Sequence, residues 1–213
     1  MTITTFLDYL EKDIKERNAE GVASNLGYIR TAADKMCRLL KELQELSRVG
    51  RNMQPAVEMP LGALLEEARV LAAGRISKRG IKTRITGETA VLFGDRQRLL
   101  EVFQNLFDNA AKFVGEQPDP LIEAGADLSG AEPVFFVRDN GIGLDPRYKD
   151  KIFGLFEKLD PATEGIGMGL VLVHKIIKAH GGRIWAESEG LGKGTVFRFT
   201  LAGTKKIAGG KDE

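Results

Sequence analysis

The chain of 213 residues carries 31 Lys and Arg against 30 Asp and Glu, a formal net charge of +1, and 43% of its residues are hydrophobic. This is a globular composition, and the small net charge, without a long Lys/Arg block, argues against a dedicated nucleic-acid or membrane-surface binder. The single cysteine, Cys37, excludes an internal disulfide, and we expect it reduced in a cytosolic core. No apolar run approaches the roughly 18 residues of a membrane span, so neither a signal peptide nor a spanning helix is predicted.

The first 50 residues show helical periodicity in two segments. Apolar residues recur from Ile3 through Leu10 to Ile14, and a polar break follows at residues 15–21. The second segment places apolar residues at alternating steps of three and four, namely Leu26, Ile29, Ala33, Met36, Leu40 and Leu43. This seam is typical of a coiled coil or antiparallel bundle and predicts a helical hairpin. We predict that the seam pairs with a second copy of the chain; the alternative is that it packs on its own globular domain.

After a linker around residues 50–55, helical and strand-like patterns alternate. Helices are predicted at 61–73, 95–114 and 169–180, and strands at 81–86, 90–93, 121–124, 134–138, 183–187 and 195–201. A turn is predicted at 77–80. This order indicates an α+β fold, a two-layer α/β sandwich with one helical layer on a mixed sheet. The predicted domains are 1–50 and 51–203, with a disordered tail at 204–213.

The helix at 95–114 is apolar on nearly every side, yet Asn105, Asn109 and Lys112 fall on one face. Buried amides and ammonium groups need polar partners, because leaving them unpaired costs free energy. A bound polar ligand would supply such partners. An ordinary solvent-facing stripe is the alternative reading of this helix.

Two glycine-rich stretches follow. A buried strand ends in Asp139-Asn140-Gly141-Ile142-Gly143, where an acid precedes two glycines that let the backbone approach a ligand closely. Farther on, residues 165–170 place three glycines before a helix, whose N-terminal N–H groups can bind phosphate. Each signal is weak alone, since Asn-Gly is more often a tight turn. The glycine triplet is also no dinucleotide fingerprint, because no βαβ unit surrounds it.

The order of the stretches is more specific than any one of them. Residues 105–113, 139–143, Phe153 with Phe156, 165–170 and 192–195 resemble the N, G1, F, G2 and G3 boxes of the ATP-binding domain of sensor histidine kinases. That domain belongs to the superfamily that includes gyrase, Hsp90 and MutL. The resemblance covers residues 54–201 and implies the Bergerat ATP-binding fold. The hairpin resembles the family's dimerisation and histidine-phosphotransfer domain.

At the adenine end, the resemblance implies that Asp139 accepts a hydrogen bond from the exocyclic amine. Gly141 and Gly143 would shape the pocket wall, and Phe113 would pack on or near the ring. A carboxylate disfavours guanine, whose carbonyl would oppose it with a second acceptor.

At the phosphate end, the resemblance implies that Asn109 completes the coordination of Mg²⁺ and that Lys112 neutralises phosphate charge. Residues 157–166 would form a lid seated by the two phenylalanines of the F box, which also suit core packing. The backbone around the helix start would hold the phosphates, with one lysine in the lid as an additional contact: Gly165, Gly167, Gly169, Leu170 and Lys158.

Asn105 bears on the type of reaction. In the hydrolytic relatives a glutamate stands four residues before the magnesium asparagine, whereas the amide of Asn105 has no basic site. The resemblance therefore favours phosphoryl transfer over hydrolysis. It implies a cytoplasmic kinase core with ATP and Mg²⁺, dimeric through the hairpin, with an upstream sensor domain in a parent protein that can be membrane-anchored. The partner would be a response regulator whose aspartate receives the phosphoryl group.

One departure concerns the phosphoacceptor, which in the family is a histidine at the start of the first hairpin helix. Residues 1–14 contain no histidine, and residues 2–10 resemble the stretch just after that motif. We therefore expect a truncation rather than a natural loss, and no self-phosphorylation of this chain. His174 and His180 are predicted to be structural.

Two rival functions remain open from the sequence. A non-catalytic, nucleotide-sensing scaffold that pairs with another kinase is favoured by the missing histidine. An ATPase or serine-kinase relative is disfavoured, because those proteins lack the long hairpin and because Asn105 argues against hydrolysis.

Overall fold

The structure, a computed structural model, describes residues 3–49, 53–87, 90–154 and 167–204. It divides by internal contacts into two compact units, Met1–Ser47 and Arg48–Glu213. The predicted tail lies outside the described residues, apart from Thr204 at its start.

The first unit is a pair of helices, α1 (Ile3–Lys15) and α2 (Ala19–Arg48). Near their connection, the carboxylate of Asp13 accepts hydrogen bonds from Asn18 Nδ2 at 2.9 Å and from Asn25 Nδ2 at 2.7 Å. Farther along, the rings of Phe6 and Tyr28 stack with their centroids 4.8 Å apart. These contacts join the two helices side by side, and the predicted hairpin is confirmed.

The predicted seam on α2 is largely open to solvent within this unit. Leu26, Met36, Leu40 and Leu43 are 51%, 48%, 61% and 52% exposed. Cys37 is exposed as well, so the prediction of a core position for its thiol is wrong. Two helices packed side by side bury only the residues between them. Cys37 follows Met36 on a surface of α2 that is exposed within this unit.

In the described part of the second unit there are eleven helices and strands. In chain order they are β1 (Val57–Pro60), α3 (Leu61–Leu71), α4 (Ala73–Lys78), β2 (Lys82–Ile85), β3 (Val91–Gly94), α5 (Arg96–Lys112), β4 (Leu121–Asp127), β5 (Val134–Asp139), α6 (Gly169–Ala179), β6 (Ile184–Glu187) and β7 (Thr195–Phe199). Two 3₁₀ turns, Pro146–Tyr148 and Lys151–Phe153, lie between β5 and α6.

The main sheet has the order β2-β4-β5-β7-β6, with β2 and β4 parallel and the other pairs antiparallel. Its buried face packs against the helices: Phe103 of α5 contacts Phe199 of β7 at 5.4 Å between ring centroids, and Phe199 contacts Phe135 of β5 at the same distance. Ile176 of α6 is fully buried in the same core. The predicted two-layer α/β sandwich on a mixed sheet is confirmed.

The structure differs from the sequence prediction at the start of this unit. β3 pairs with β1 in a separate two-stranded sheet, and β1 was not predicted. Only Met59 of its four residues is buried, so the strand lacks an alternating pattern. The helix predicted at 61–73 breaks at Ala72, and α4 continues through Lys78 because Ile76 is still a core residue. The turn predicted at 77–80 is therefore shorter.

Two helix boundaries were predicted from side-chain chemistry. Asp95 caps α5, since its Oδ1 accepts the N–H of Arg98 at 3.2 Å. α6 ends at Ala179, with His180 as its C-cap residue. Gly181 follows with a φ of 69°, a left-handed conformation suited to glycine. Within the described ranges, no helix has the length and apolar character needed to cross a bilayer.

Candidate functional site

The polar face of α5 is half-buried and leads to the start of α6. Asn105, Asn109 and Lys112 are each partly exposed. The Nδ2 of Asn105 donates to the carbonyl of Glu101 in its own helix at 2.8 Å. Its Oδ1 faces Gly169, where an added Cβ would lie only 2.8 Å away. The predicted amide face is therefore in contact with the first residue of α6.

The other end of α5 contacts the acid-glycine segment at 139–143. The carbonyl of Phe113 accepts the N–H of Ile142 at 2.9 Å, and a Cβ at Gly141 would overlap this same carbonyl oxygen. The Nζ of Lys112 lies 4.8 Å from the centroid of the Phe113 ring. Since α5 touches α6 at Asn105 and this segment at Phe113, the structure brings three of the predicted stretches together.

Asp139, the last residue of β5, presents a buried carboxylate at this junction. It is 5% exposed. Its Oδ1 accepts the N–H of Gly141 at 2.9 Å, and the backbone of Thr195, the register partner of Asp139 on β7, also favours the ionised carboxyl group. Burial raises the pKa of Asp139 to about 6, against the opposing effect of these two backbone groups. The carboxylate is still ionised at neutral pH, and it has acceptor capacity for a further donor.

The glycines around Asp139 allow two backbone segments to pack directly on each other. Gly143 and Gly194 both have φ of 71°. An added Cβ at Gly143 would overlap the carbonyl oxygen of Gly190, and one at Gly194 would overlap that of Asp139. The predicted wall-forming Gly143 is thus required by contact with the loop at 190–194, a reason that the sequence alone did not supply.

The start of α6 can present backbone N–H groups to a ligand. Gly167 has a φ of 82°, and Met168 at the N-cap makes no side-chain cap hydrogen bond. Among the described residues, the N-cap Met168 thus supplies no side-chain acceptor to the first-turn N–H groups of this eleven-residue helix, and together with the helix dipole these groups suit an anion. Gly169 is exposed and Leu170 is partly buried against the core. Gly165, Phe156, Lys158 and the predicted lid at 157–166 lie outside the described residues.

Residues 94–205 match the family described as histidine kinase-, DNA gyrase B- and HSP90-like ATPases. The chain belongs to this family. It is 45% identical to the methanogenesis regulatory histidine kinase FilI of Methanothrix harundinacea, over 201 residues that make up 94% of this chain and 23% of that protein. The chain spans about a quarter of the length of the curated relatives that it matches.

Solved structures of histidine kinases share the fold. The catalytic domain of histidine kinase ThkA is 30% identical, with a TM-score of 0.59 over 70% of this chain and 95% of that chain. Full-length ShkA in complex with AMPPNP is 26% identical, with a TM-score of 0.67 over 90% of this chain and 40% of that chain. Together with the family match, these relatives identify a sensor histidine kinase ATP-binding catalytic core.

Of the two phenylalanines predicted to form the F box, Phe153 lies within the described residues. Its ring lies 5.8 Å from the imidazole of His174 and 6.4 Å from the ring of Phe197, so it packs on the core as predicted. Burial lowers the pKa of His174, and the charge of Lys178 lowers it further. The imidazole of His174 thus packs against the ring of Phe153.

One residue of the kinase core was missed by the sequence analysis. Ser188, in the loop after β6, binds backbone groups of Leu144, Gly190 and Gly194, and so joins the segment after Asp139 to the 190–194 loop. A single serine in a loop carries no periodic or spacing signal, so only the tertiary contacts reveal it.

Proposed function

We propose that this chain is the catalytic core of a two-component sensor histidine kinase, which transfers the γ-phosphoryl group of ATP to a histidine for relay to an aspartate of a response regulator. The observation that carries the proposal is the placement of α5 between the buried carboxylate segment at 139–143 and the uncapped start of α6. A nucleotide has the matching polarity, with a neutral base at one end and phosphates at the other.

The adenine end of the proposed site is Asp139. Its ionised carboxylate accepts a hydrogen bond from the exocyclic amine, and the carbonyl of guanine at that position would place two acceptors face to face. The carbonyl of Phe113 accepts the N–H of Ile142, so Phe113 lies beside the segment at 139–143. Its ring packs on the base. Gly141 and Gly143 form the pocket wall.

The phosphate end of the proposed site lies along α5 toward α6. The amide oxygen of Asn109 suits a hard cation and would hold Mg²⁺, whose charge neutralises the phosphates when it is bound. Lys112 supplies a further positive charge on the same helix face. Backbone N–H groups near the start of α6 hold the phosphate oxygens. The proposal assigns to this group Gly165, Gly167, Gly169 and Leu170, with Lys158 as an additional contact.

Asn105 is the residue that favours a histidine over water as the proposed acceptor of the phosphoryl group. The amide cannot take a proton from water, and it is held by Glu101 and faces Gly169. Phosphoryl transfer needs mainly alignment and charge neutralisation, which the groups on α5 and α6 provide. Transfer to a separate histidine is therefore favoured over hydrolysis.

The proposed assembly is a homodimer through α2. Four large apolar residues of the predicted seam are about half exposed within the hairpin unit, and pairing with a second copy would remove them from water. The proposal further includes an upstream sensor domain, a receiver domain of a response regulator as partner, and a cytoplasmic location where ATP is available.

The decisive experiment measures binding and transfer separately. Isothermal titration calorimetry of the purified chain with Mg·ATP is expected to show one site per chain, and GTP is expected to bind far more weakly. With γ-labelled ATP, the chain alone is expected to retain no alkali-stable label, because its hairpin has no histidine. A separately added hairpin that carries the histidine is expected to become labelled. Absence of ATP binding would overturn the proposal, and alkali-stable label on the chain itself would overturn the need for an outside acceptor.

A further inference from the structure

The hydroxyl group of Ser188 has all of its hydrogen-bonding capacity in use. It donates to the carbonyl oxygen of Gly194 at 2.7 Å, with a second, longer acceptor at Gly190, 3.2 Å away. It accepts the backbone N–H groups of Leu144 at 3.0 Å and of Gly190 at 3.2 Å. Since a serine hydroxyl donates one hydrogen bond and accepts two, the side chain is saturated.

The peptide group between Gly194 and Thr195 connects Ser188 with Asp139. Its carbonyl end accepts the Ser188 hydroxyl. Its N–H end belongs to Thr195, which is the register partner of Asp139 across β5 and β7 and favours the ionised form of the Asp139 carboxyl group. Because a peptide group is planar and rigid, holding the carbonyl also sets the direction of the N–H. Hydrogen bonds arranged head to tail polarise one another. Gly194 also donates its N–H to the carbonyl of Gly141 at 3.1 Å, and Gly141 donates its own N–H to Asp139 Oδ1 at 2.9 Å. Ser188 is therefore linked to the carboxylate through Gly194.

We infer that Ser188 is a positioning residue of the nucleotide site, whose hydroxyl orients the Gly194–Thr195 peptide group and through it the carboxylate of Asp139. This inference rests on the proposed function, in which Asp139 binds adenine. Ser188 itself acts through backbone groups and needs no contact with nucleotide.

The same hydroxyl also holds the two glycine segments against each other. It accepts the N–H of Leu144, in the segment that follows Gly143, and the N–H of Gly190, in the neighbouring loop. One backbone hydrogen bond, from the N–H of Gly192 to the carbonyl of Ile142 at 2.6 Å, joins the same two segments. Loss of the hydroxyl leaves partly buried backbone groups unpaired, and the loop can relieve that cost by moving away from Asp139.

Such a movement changes the ionisation of Asp139. A carboxylate that loses a donor binds its proton more tightly, so the pKa of Asp139, already raised by burial, rises further. Among the described residues, the charged side chains on the surrounding elements include Lys112 on α5, Lys193 in the adjacent loop, and Arg138 with its cross-strand partner Glu123. The last two belong to the opposite face of the sheet, because Arg138 precedes Asp139 on β5. Lys112, Arg138 and Glu123 lie outside the 190–194 loop, whereas Lys193 moves with it when Ser188 is replaced.

The test compares Ser188→Thr with Ser188→Val, which have nearly the same shape and differ in the hydroxyl. The titration of the Asp139 carboxyl carbon is followed by NMR in the ligand-free protein, and ATP affinity is measured between pH 5 and pH 8. We expect the Asp139 midpoint to rise by about one pH unit in the Val variant and to stay close to that of the wild type in the Thr variant. ATP affinity of the Val variant is then expected to be about twofold lower at pH 7 and about tenfold lower at pH 5.

The control is Ser129→Ala, which removes a hydroxyl that donates to Asp127, the last residue of β4, and it is expected to change neither readout. An Asp139 midpoint that is equal in the Val and Thr variants, or an affinity ratio that is constant with pH, overturns the inference. If the wild type binds no ATP, the proposed function fails while the NMR titration still decides the role of Ser188. Should the Val variant fail to fold by circular dichroism, Ser188→Ala is read against Ser129→Ala in the same two assays.

Discussion

The imidazole of His180 accepts the backbone N–H of Asp95 through Nε2, at 3.0 Å. Its other nitrogen, Nδ1, lies 2.8 Å from the carbonyl of Ile176 and donates to it in the tautomer that leaves Nε2 free to accept. One side chain, at the C-cap of α6, thus binds the residue that caps the start of α5. The helices so joined are the two that carry the proposed phosphate-binding groups.

Asp95 extends this junction to the chain segment that enters the domain. Its Oδ1 caps α5 and its Oδ2 accepts the N–H of Gln54 at 2.7 Å. A Cβ at Gly94 would lie 2.7 Å from Cδ2 of His180, so the glycine before Asp95 makes room for the ring. Packing around one imidazole therefore holds three separate parts of the backbone.

Replacement of His180 is expected to destabilise the domain. His180→Ala leaves the N–H of Asp95 without its acceptor in a site where Asp95 is 1% exposed, and we expect a loss of about 1–3 kcal/mol in the free energy of unfolding. Urea denaturation measures this loss. Lys178→Ala, at an exposed position of the same helix, serves as control and is expected to change stability by less than about 0.5 kcal/mol. Equal stability of the two variants would show that the histidine junction contributes nothing.

Asp139→Asn is expected to abolish measurable ATP binding. The amide can present its NH₂ group where the adenine amine requires an acceptor, so two donors face each other. Calorimetry at pH 7.5 measures the affinity. Asp145→Asn changes a partly exposed acid near the same segment, where it accepts the N–H of Arg147, and is expected to bind ATP like the wild type. Undiminished affinity of the Asp139 variant would mean that adenine binds elsewhere.

Asp139 also makes the stability of the ligand-free domain depend on pH. Its folded pKa of about 6 lies above the value of about 3.9 for an unfolded chain, so the folded state holds more protons between these values. The free energy of unfolding therefore falls as pH rises from about 4 to about 6, by about 3 kcal/mol at most for this group. Denaturation at a series of pH values checks this, and Asp139→Asn should lack that contribution. A slope of the opposite sign from this residue would contradict the burial argument.

Gly194→Ala is expected to be much more damaging than Gly192→Ala. Both glycines have positive φ, 71° and 75°, so both variants pay a similar backbone strain. Nothing lies near the added methyl at Gly192, whereas at Gly194 it would overlap the carbonyl of Asp139. We expect Gly194→Ala to lower the melting temperature further and to weaken ATP binding at least about tenfold, with Gly192→Ala as its matched control. Similar behaviour of the two variants would argue against the close packing of these segments.

Asn109→Ala is expected to remove the benefit of Mg²⁺ for nucleotide binding. In the wild type, Mg²⁺ should strengthen ATP binding relative to EDTA; in the variant, affinities with and without the metal should become similar, because the amide oxygen is lost. Gln104→Ala, on a different side of α5, is the control and should keep the metal dependence. An Asn109 variant that still binds Mg·ATP more tightly than free ATP would remove Asn109 from the metal site.

Much of the fold was accessible from the sequence, because local patterns specify it. The seam of α2, the capping role of Asp95 and the apolar run of β5 each follow from side-chain periodicity or hydrogen-bonding chemistry within a few residues. Short β1 was missed, since one buried residue in four makes no pattern. The core position expected for Cys37 was wrong, because burial on α2 depends on what packs against it.

The sequence by itself determined the identity and order of the chemical groups: amides on one helix face, an acid before two glycines, and glycines before a helix. Only the tertiary structure decided which of these groups meet and what holds them in place. Ser188 binds Leu144 and His180 binds Asp95 across 44 and 85 positions of the chain. Contacts between residues so far apart depend on how the sheet and helices close on each other, and no local pattern encodes that closure.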